Sequence, residues 1–251
     1  MTMAFISSER VLSKLDEHLG RNDYVSAEKH LVYWLGEAQA VGDNRCALLC
    51  MNELAGLYRK LAKEEKAIET VSSILSLIEK MGIEENIGAG TSYINCATVY
   101  KAFGRAAEAL PIFEKARAVY EKSLPASDKR FGGLFNNMAL ALVDLERYDE
   151  AYELYNKAIE VMTNADDGDL EVAITLLNIA SAKEAELGAV ESEAEVSECI
   201  EKATELLDGH KNRDGYYAFV CEKCASVFGY FGYFVYEKEL SRRASEIYER
   251  S

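Results

Sequence analysis

The stretch YINCATVYKAFGRAAEALPIFEKARAVY, residues 93–120, predicts two helices joined by a tight turn at Gly104. Ala97 and Ala109 supply small side chains where the two helices would touch, and larger apolar residues such as Phe113 lie between them. A single helix pair of this kind buries too little apolar surface to be stable alone. The stretch therefore predicts further helix pairs stacked on both of its sides.

The same pattern recurs along the chain with a period of about 42 residues. In the first helix of each pair the aligned alanines lie 42, 42 and 41 residues apart: Ala55, Ala97, Ala139 and Ala180. In the second helix they lie 42, 42 and 43 residues apart: Ala67, Ala109, Ala151 and Ala194. Such a period is typical of a helical repeat, so we expect an all-α fold of about six stacked helix pairs.

Each pair resembles the tetratricopeptide repeat, whose pattern runs Leu-Gly-x-x-Tyr and then Ala-x-x-x-Phe. Here the first part reads Leu54-Ala55 followed by Tyr58, and the second reads Ala109 followed by Phe113. The unit is about two helical turns longer than the usual repeat of about 34 residues. It is similar to the long repeats of kinesin light chain and of bacterial peptide-sensing regulators. The resemblance implies a right-handed α-α superhelix whose first helices line a concave groove.

The predicted organisation is one solenoid domain over residues 1–251. Its parts are a degenerate first pair, four central repeats and an aromatic-rich C-terminal pair, at residues 1–42, 43–211 and 212–251. Ser8 is the expected cap of the first helix. Pro111 lies inside the second helix of the third pair, where it predicts a kink or a late helix start.

The overall charge limits the classes of partner. The chain has 28 Lys and Arg against 43 Asp and Glu, a net charge of −15, which disfavours nucleic acid because phosphate binding needs a basic patch. The sequence lacks the long apolar run of a membrane helix, and its N-terminus lacks the pattern of a signal peptide. We therefore expect a cytoplasmic protein that does not contact membranes and whose six cysteines are reduced.

The sequence offers no constellation of residues for catalysis or for a metal ion. The three histidines, His18, His30 and His210, fall in different repeats. Cys221-x-x-Cys224 would need two further ligands to bind zinc, and Cys224 falls at a core position of its helix. We expect a protein that is not an enzyme and uses no cofactor.

One polar position recurs just before a core residue of the first helix. Asn95, Asn137 and Asn178 occupy it, 42 and 41 residues apart, although asparagine is a poor helix former. The resemblance to long-repeat peptide binders implies that these amides pair with the backbone of an extended peptide, since asparagine both donates and accepts hydrogen bonds. The alternative is that each amide bonds the adjacent repeat and only fixes the stacking.

The same helical register gives further candidates for the groove. They are Asn52, Arg59, Lys60, Thr98, Lys101, Asn136, Ser181, Lys223 and Tyr230. The resemblance to carboxylate-clamp repeats suggests that Arg59, Lys60 and Lys101 meet a ligand carboxylate. The alternative for these three is a set of solvated helix ends.

The C-terminal pair is unusual because nine aromatic residues lie between Tyr216 and Tyr236. A terminal repeat normally has a polar outer face. The aromatic residues are open to three interpretations: a bulky local core, a dimer surface, or a pocket at the end of the groove.

These observations predict a non-catalytic module that binds a peptide or protein segment in the groove. One alternative is a scaffold that self-associates through its C-terminal pair as a homodimer. Another is the sensor part of a bacterial regulatory system.

Overall fold

The structure, a computed structural model, describes residues 6–166 and 168–250, which form twelve α-helices and no strand. The chain divides into two compact units, Met1–Leu124 (unit 1) and Pro125–Ser251 (unit 2). Each unit contains three helix pairs, so the predicted all-α fold of six pairs is confirmed. The single domain over the whole chain stays a prediction.

In unit 1 the pairs are α1 (Ser8–Gly20) with α2 (Tyr24–Val41), α3 (Asn44–Lys60) with α4 (Glu64–Met81), and α5 (Ile87–Ala102) with α6 (Ala106–Ser123). In unit 2 they are α7 (Arg130–Asp144) with α8 (Tyr148–Thr163), α9 (Gly168–Leu187) with α10 (Glu193–Gly209), and α11 (Gly215–Tyr230) with α12 (Phe234–Tyr248). The pairs stack within each unit, because α3 packs against α2, α4 and α5, and α9 packs against α7, α8, α10 and α11.

Short polar side chains start several of the helices. Asp23 and Asp43 each accept a hydrogen bond from the backbone N–H three residues later, at 3.0 and 3.1 Å. The expected cap at Ser8 is wrong by one residue. Ser7 is the cap, since its hydroxyl accepts from the N–H three residues later at 3.3 Å, and Ser8 is the first helical residue.

The turn inside each pair contains one residue in the left-handed backbone conformation. These residues have φ between 52 and 86°: Asn22, Ala62, Gly104, Glu146, Gly188 and Gly232. From Ala62 to Gly188 they are spaced 42 residues apart, so the period of the sequence is also a period of the backbone. Ala62 and Glu146 adopt this conformation against the preference of residues with a Cβ, at a cost of about 1 kcal/mol each.

The aligned alanines occupy the places where helices approach closely. Seven of the eight are fully buried: Ala55, Ala67, Ala97, Ala109, Ala139, Ala151 and Ala180. The prediction for Ala194 is wrong, because Ala194 is exposed and Val196 is buried instead. The cause is a longer turn. Helix α10 begins five residues after Gly188, whereas α4, α6 and α8 each begin two residues after their left-handed residue.

Pro111 lies within α6, which begins at Ala106. The expected late helix start is therefore wrong. The proline nitrogen cannot donate a hydrogen bond to the carbonyl of Ala107, yet the helix continues to Ser123. The surrounding apolar residues explain this tolerance, since Ile112 and Phe113 are buried.

The nine aromatic residues of the C-terminal pair separate into core and surface residues. Tyr217 and Phe228 are fully buried, and Tyr236 is half-buried with its ring 4.7 Å from that of Phe228. Five others are between 39 and 69% exposed: Tyr216, Phe219, Tyr230, Tyr233 and Phe234. The pair thus has an aromatic core of its own and also presents aromatic rings to solvent.

Candidate functional site

The residues predicted to line a groove lie on the first helices of the pairs. On α3, Asn52, Gly56 and Arg59 follow one another at helical spacing, opposite the buried face that contains Leu54 and Tyr58. We call the corresponding residues of unit 1 its open face: Asn52, Glu53, Arg59, Lys60, Asn95, Thr98 and Lys101. The open face of unit 2 consists of Asn137, Asn178, Ser181, Glu184, Lys223 and Tyr230.

In unit 1, two asparagines join adjacent first helices. Asn95 on α5 donates a hydrogen bond from Nδ2 to Oδ1 of Asn52 on α3, at 3.1 Å. Asn52 in turn donates from Nδ2 to the carbonyl of Leu48 at 2.9 Å and to the hydroxyl of Ser92 at 3.0 Å. Both N–H groups of Asn52 are therefore used inside the protein.

Unit 2 repeats this arrangement. Asn178 on α9 donates from Nδ2 to Oδ1 of Asn136 on α7, at 3.0 Å. Asn136 is only 6% exposed, so its main role is in packing. Asn137 differs, because its Nδ2 donates to the carbonyl of Gly133 in its own helix, at 2.8 Å.

The three recurrent asparagines are thus only partly engaged. Asn95, Asn137 and Asn178 are half-buried, and each donates one N–H within the protein. Within the described part of the chain their side-chain oxygens accept no hydrogen bond. Each amide therefore keeps one carbonyl and one N–H for a further partner. The pairing with Asn52 and Asn136 was not predicted, although both precede a core alanine by three residues.

The basic residues of unit 1 occupy the last turns of their helices. Arg59 is exposed and forms no ion pair with any described residue, and partial desolvation of its guanidinium lowers its pKa. The ammonium group of Lys60 lies over the ring of Tyr24, 4.9 Å from its centre. Lys101 is half-buried in the last turn of α5. Burial, followed by the charge of Asp16, raises the pKa of Glu53 on the same face.

The hydroxyl groups of Thr98 and Ser181 are already used. Thr98 donates to the carbonyl of Asn95 at 2.8 Å, and Ser181 donates to the carbonyl of Leu177 at 3.1 Å. Only their oxygen lone pairs remain for a ligand.

Carboxylates on α9 act on two exposed tyrosines of α11. The hydroxyl of Tyr216 donates a hydrogen bond to Glu171. The interaction with the carboxylate of Glu184 raises the pKa of Tyr230. Tyr230 is 69% exposed and Lys223 is exposed on the same face of the helix. The sequence-based prediction omitted Glu171 and Glu184, for which the sequence carries no signal beyond the excess of acidic residues.

Five of the six cysteines are core residues, and Cys199 is half-buried. Cys221 and Cys224 are buried, and burial raises the pKa of Cys224 to about 12. Among residues 6–166 and 168–250, no three His, Cys, Asp or Glu residues lie close enough together to hold a metal ion. None of the helices in that part of the chain combines the length and apolar character needed to cross a bilayer.

Comparisons with known proteins agree with this architecture. The chain is 30% identical over 112 residues to Protein KINESIN LIGHT CHAIN-RELATED 1 of Arabidopsis thaliana, a match that covers 43% of this chain and 17% of the plant protein. The chain therefore spans a small part of that relative.

Two solved structures share the fold. BtubC (BKLC) from P. vanneervenii superposes with a TM-score of 0.69 at 20% identity, covering 81% of this chain and 82% of that one. A Rap protein complexed with Competence and Sporulation Factor superposes with a TM-score of 0.63 at 17% identity, covering 96% of this chain and 64% of that one. At such identities the likeness shows the fold alone.

The family model described as Tetratricopeptide repeat matches residues 42–122 and 132–207, which together make up more than half of the chain. These ranges include the helix pairs α3–α4, α5–α6, α7–α8 and α9–α10, except for the first residues of α7 and the last of α6 and α10. This chain belongs to the tetratricopeptide repeat family.

Proposed function

We propose that this chain is a non-catalytic binding module in which the open face of a unit, formed by its first helices, holds a peptide or protein segment. The observation that carries the proposal is that the recurrent asparagines of each unit are only partly engaged within the protein. Asn95, Asn137 and Asn178 each use one N–H within the protein and keep a carbonyl and an N–H for a partner. An extended peptide presents N–H and C=O groups that match both.

The relatives support the same role. Tetratricopeptide repeats act as interaction modules, and the similar Rap protein was solved in complex with Competence and Sporulation Factor. A sensor part of a bacterial regulatory system is a version of this role in which the bound segment is a signal. The likeness to Rap extends over 96% of this chain.

The experiment selects binding peptides from a random display library and maps their position by photo-crosslinking. We expect crosslinks on the first helices, α3, α5, α7, α9 and α11. The replacement Asn137→Ala should weaken binding about two- to tenfold, which corresponds to one hydrogen bond of about 0.5–1.5 kcal/mol.

The matched control is Asn164→Ala. Asn164 also donates from Nδ2 to a carbonyl of its own helix, at 2.9 Å, but it lies at the end of a second helix. Its removal should leave affinity unchanged. Crosslinks confined to α4, α6, α8 and α10 would contradict the proposal, as would equal effects of the two replacements.

Self-association is a second candidate, and one surface favours it. At the start of α12, Phe234 is 61% exposed and Val235 is 86% exposed, next to Tyr233. Together with Arg242 and other residues they line an open cleft of about 870 Å³. Adjacent apolar side chains this exposed are typical of interaction surfaces.

Light scattering at micromolar concentration tests this candidate. A homodimer that Phe234→Asp converts to a monomer would support it, with Val25→Asp on α2 as the control at another exposed apolar residue, which is 65% exposed. A monomer over the whole concentration range would contradict it. Tyr236 is unsuited to the test because its side chain is part of the local core.

A further inference from the structure

A cavity of about 420 Å³ in unit 2 adjoins the open face of that unit. It is lined by residues from the starts of α7, α9 and α11, from the end of α8 and from the loop between α8 and α9. One of these residues is Gly133, whose carbonyl accepts a hydrogen bond from the amide of Asn137 at 2.8 Å. A segment held by Asn137 would therefore pass beside the cavity.

Two consecutive glycines at the start of α7 shape the cavity. Gly132 has a packing reason, because a Cβ there would collide with the side chain of Met162. Gly133 has none, since a Cβ there would meet no atom of another part of the chain within 4 Å. Glycine in place of alanine inside a helix costs up to about 1 kcal/mol. A cost that packing does not explain indicates that something approaches the helix closely at Gly133.

The apolar part of the lining consists of Met162 and Tyr216. Met162 is buried, whereas Tyr216 is 41% exposed. Two contacts hold the ring of Tyr216 in place: its hydroxyl donates to Glu171 on α9, and its ring stacks on that of Phe219 with 6.3 Å between the centres. A thioether and an exposed aromatic ring both make favourable contacts with a further aromatic ring.

The charged part of the lining is balanced. It contains two cations, Lys129 and Arg130, and two carboxylates, Asp166 and Glu171. Arg130 already pairs with Asp128 at 2.7 Å, and Glu171 accepts a hydrogen bond within the protein. Equal and opposite charges do not favour a charged side chain. They suit an aromatic ring, because its negative faces attract cations and its positive edge attracts carboxylates.

We propose that this cavity is a pocket for an aromatic side chain, Phe, Tyr or Trp, of the segment that unit 2 holds. The ring enters over Gly133, contacts Met162 and Tyr216, and presents a face to the ammonium group of Lys129. This inference rests on the proposed function, because the ring belongs to the bound segment.

The test is a display selection of random eight-residue peptides on three forms of the full chain. On the wild type we expect the selected peptides to be enriched in Phe, Tyr and Trp. On Gly133→Leu, which fills the cavity with a side chain, that enrichment should disappear. The matched control is Gly36→Leu, because Gly36 lies within a second helix, α2, and its Cβ would also meet no atom of another part of the chain within 4 Å.

Both leucine variants should fold, since neither Cβ meets a neighbour and leucine has a higher helix propensity than glycine. A urea midpoint at or above that of the wild type verifies this. Tyr216→Leu is a second variant that removes the stacking ring from the cavity wall. It should lose the aromatic enrichment as well.

A titration of one selected peptide against its version with alanine in place of the aromatic residue then measures the contact. The aromatic residue should raise affinity about ten- to 100-fold on the wild type, as expected for burial of a large apolar side chain, and have no effect on Gly133→Leu. In protein labelled with ¹³C in its methionine methyl groups, the ring current should shift the Met162 signal upfield. That signal is assigned with Met162→Leu, and the alanine peptide should not produce the shift.

The outcomes separate the pocket from the binding function. Peptides selected without aromatic enrichment would refute the pocket and leave the binding function standing. The pocket would also be refuted by enrichment that survives in Gly133→Leu, by an equal loss in Gly36→Leu, or by a Met162 signal that the aromatic peptide does not move. A library that yields no binder at all would refute peptide binding and the pocket together.

Discussion

The hydrogen bond between Asn178 and Asn136 gives a prediction that separates packing from ligand binding. Asn178→Ala removes the donor and leaves Oδ1 of Asn136, a residue that is 6% exposed, without its partner. A typical hydrogen bond contributes about 0.5–1.5 kcal/mol, and an unsatisfied buried acceptor costs about 1–3 kcal/mol. Alanine recovers up to about 0.7 kcal/mol of helix propensity. We expect a net loss of about 1–2 kcal/mol in the free energy of unfolding.

A double-mutant cycle removes the propensity term, because it appears in both arms. The coupling energy of Asn136→Ala with Asn178→Ala should be about 1 kcal/mol. For Asn52 with Asn95 it should be smaller, because both residues are half-buried and water can replace the lost partner. The assay is urea unfolding followed by far-ultraviolet circular dichroism.

The control pair is Asn136 with Thr204, whose hydroxyl bonds only the carbonyl of Ile200 in its own helix at 2.8 Å. These two changes should add within about 0.3–0.5 kcal/mol. A coupling energy of zero between Asn136 and Asn178 would show that the hydrogen bond does not stabilise the stacking. The amides would then be available to a ligand without any structural role.

Three further predictions concern the fold. Ala139→Leu should lower the free energy of unfolding by about 1–3 kcal/mol because the site is fully buried, whereas Ala194→Leu at an exposed site should leave the urea midpoint nearly unchanged. Glu146→Gly should raise the melting temperature by relieving a left-handed conformation worth about 1 kcal/mol, and Gly104→Ala, at φ 72°, should lower it. Glu28 has its pKa lowered from 4.5 to about 2 by hydrogen bonds from two lysines. Its stabilisation of up to about 1 kcal/mol is therefore present above pH 4.5 and lost as the pH falls towards 2, so the stability difference between wild type and Glu28→Gln should vanish in acid.

The repeat could be predicted from the sequence because two helices in close contact leave room only for a small side chain between them. Where two helices touch at Ala55, Ala97 or Ala139, a larger residue would force them apart, so the alanines mark the contacts directly. The same rule failed at Ala194 because it assumes turns of constant length. Three additional residues in the turn after Gly188 moved the buried position to Val196, and loop length leaves no periodic signal.

The roles of the polar residues could be predicted only in part. The register of Asn95 and Asn178 follows from their spacing. Their hydrogen bonds to Asn52 and Asn136 depend also on the rotation of adjacent helices, because the donor–acceptor distance must be correct to within a few tenths of an ångström. The hydrogen bond of Tyr216 to Glu171 joins residues 45 positions apart on different helices. No local pattern in a single sequence reports such a pair.

The partial use of each amide explains why the sequence pattern fits both interpretations of the asparagines. An asparagine side chain has two N–H groups and one carbonyl. Asn95 and Asn178 each donate one N–H to an asparagine on the neighbouring first helix, so the same side chain can stabilise the helix packing and also bind a ligand. Their replacement must lower stability and affinity together, and neither measurement alone can assign the role. Asn137 donates its N–H to the carbonyl of Gly133 within its own helix, so no hydrogen bond between helices depends on this side chain. Of the three positions, it is the one where a loss of affinity reports recognition alone.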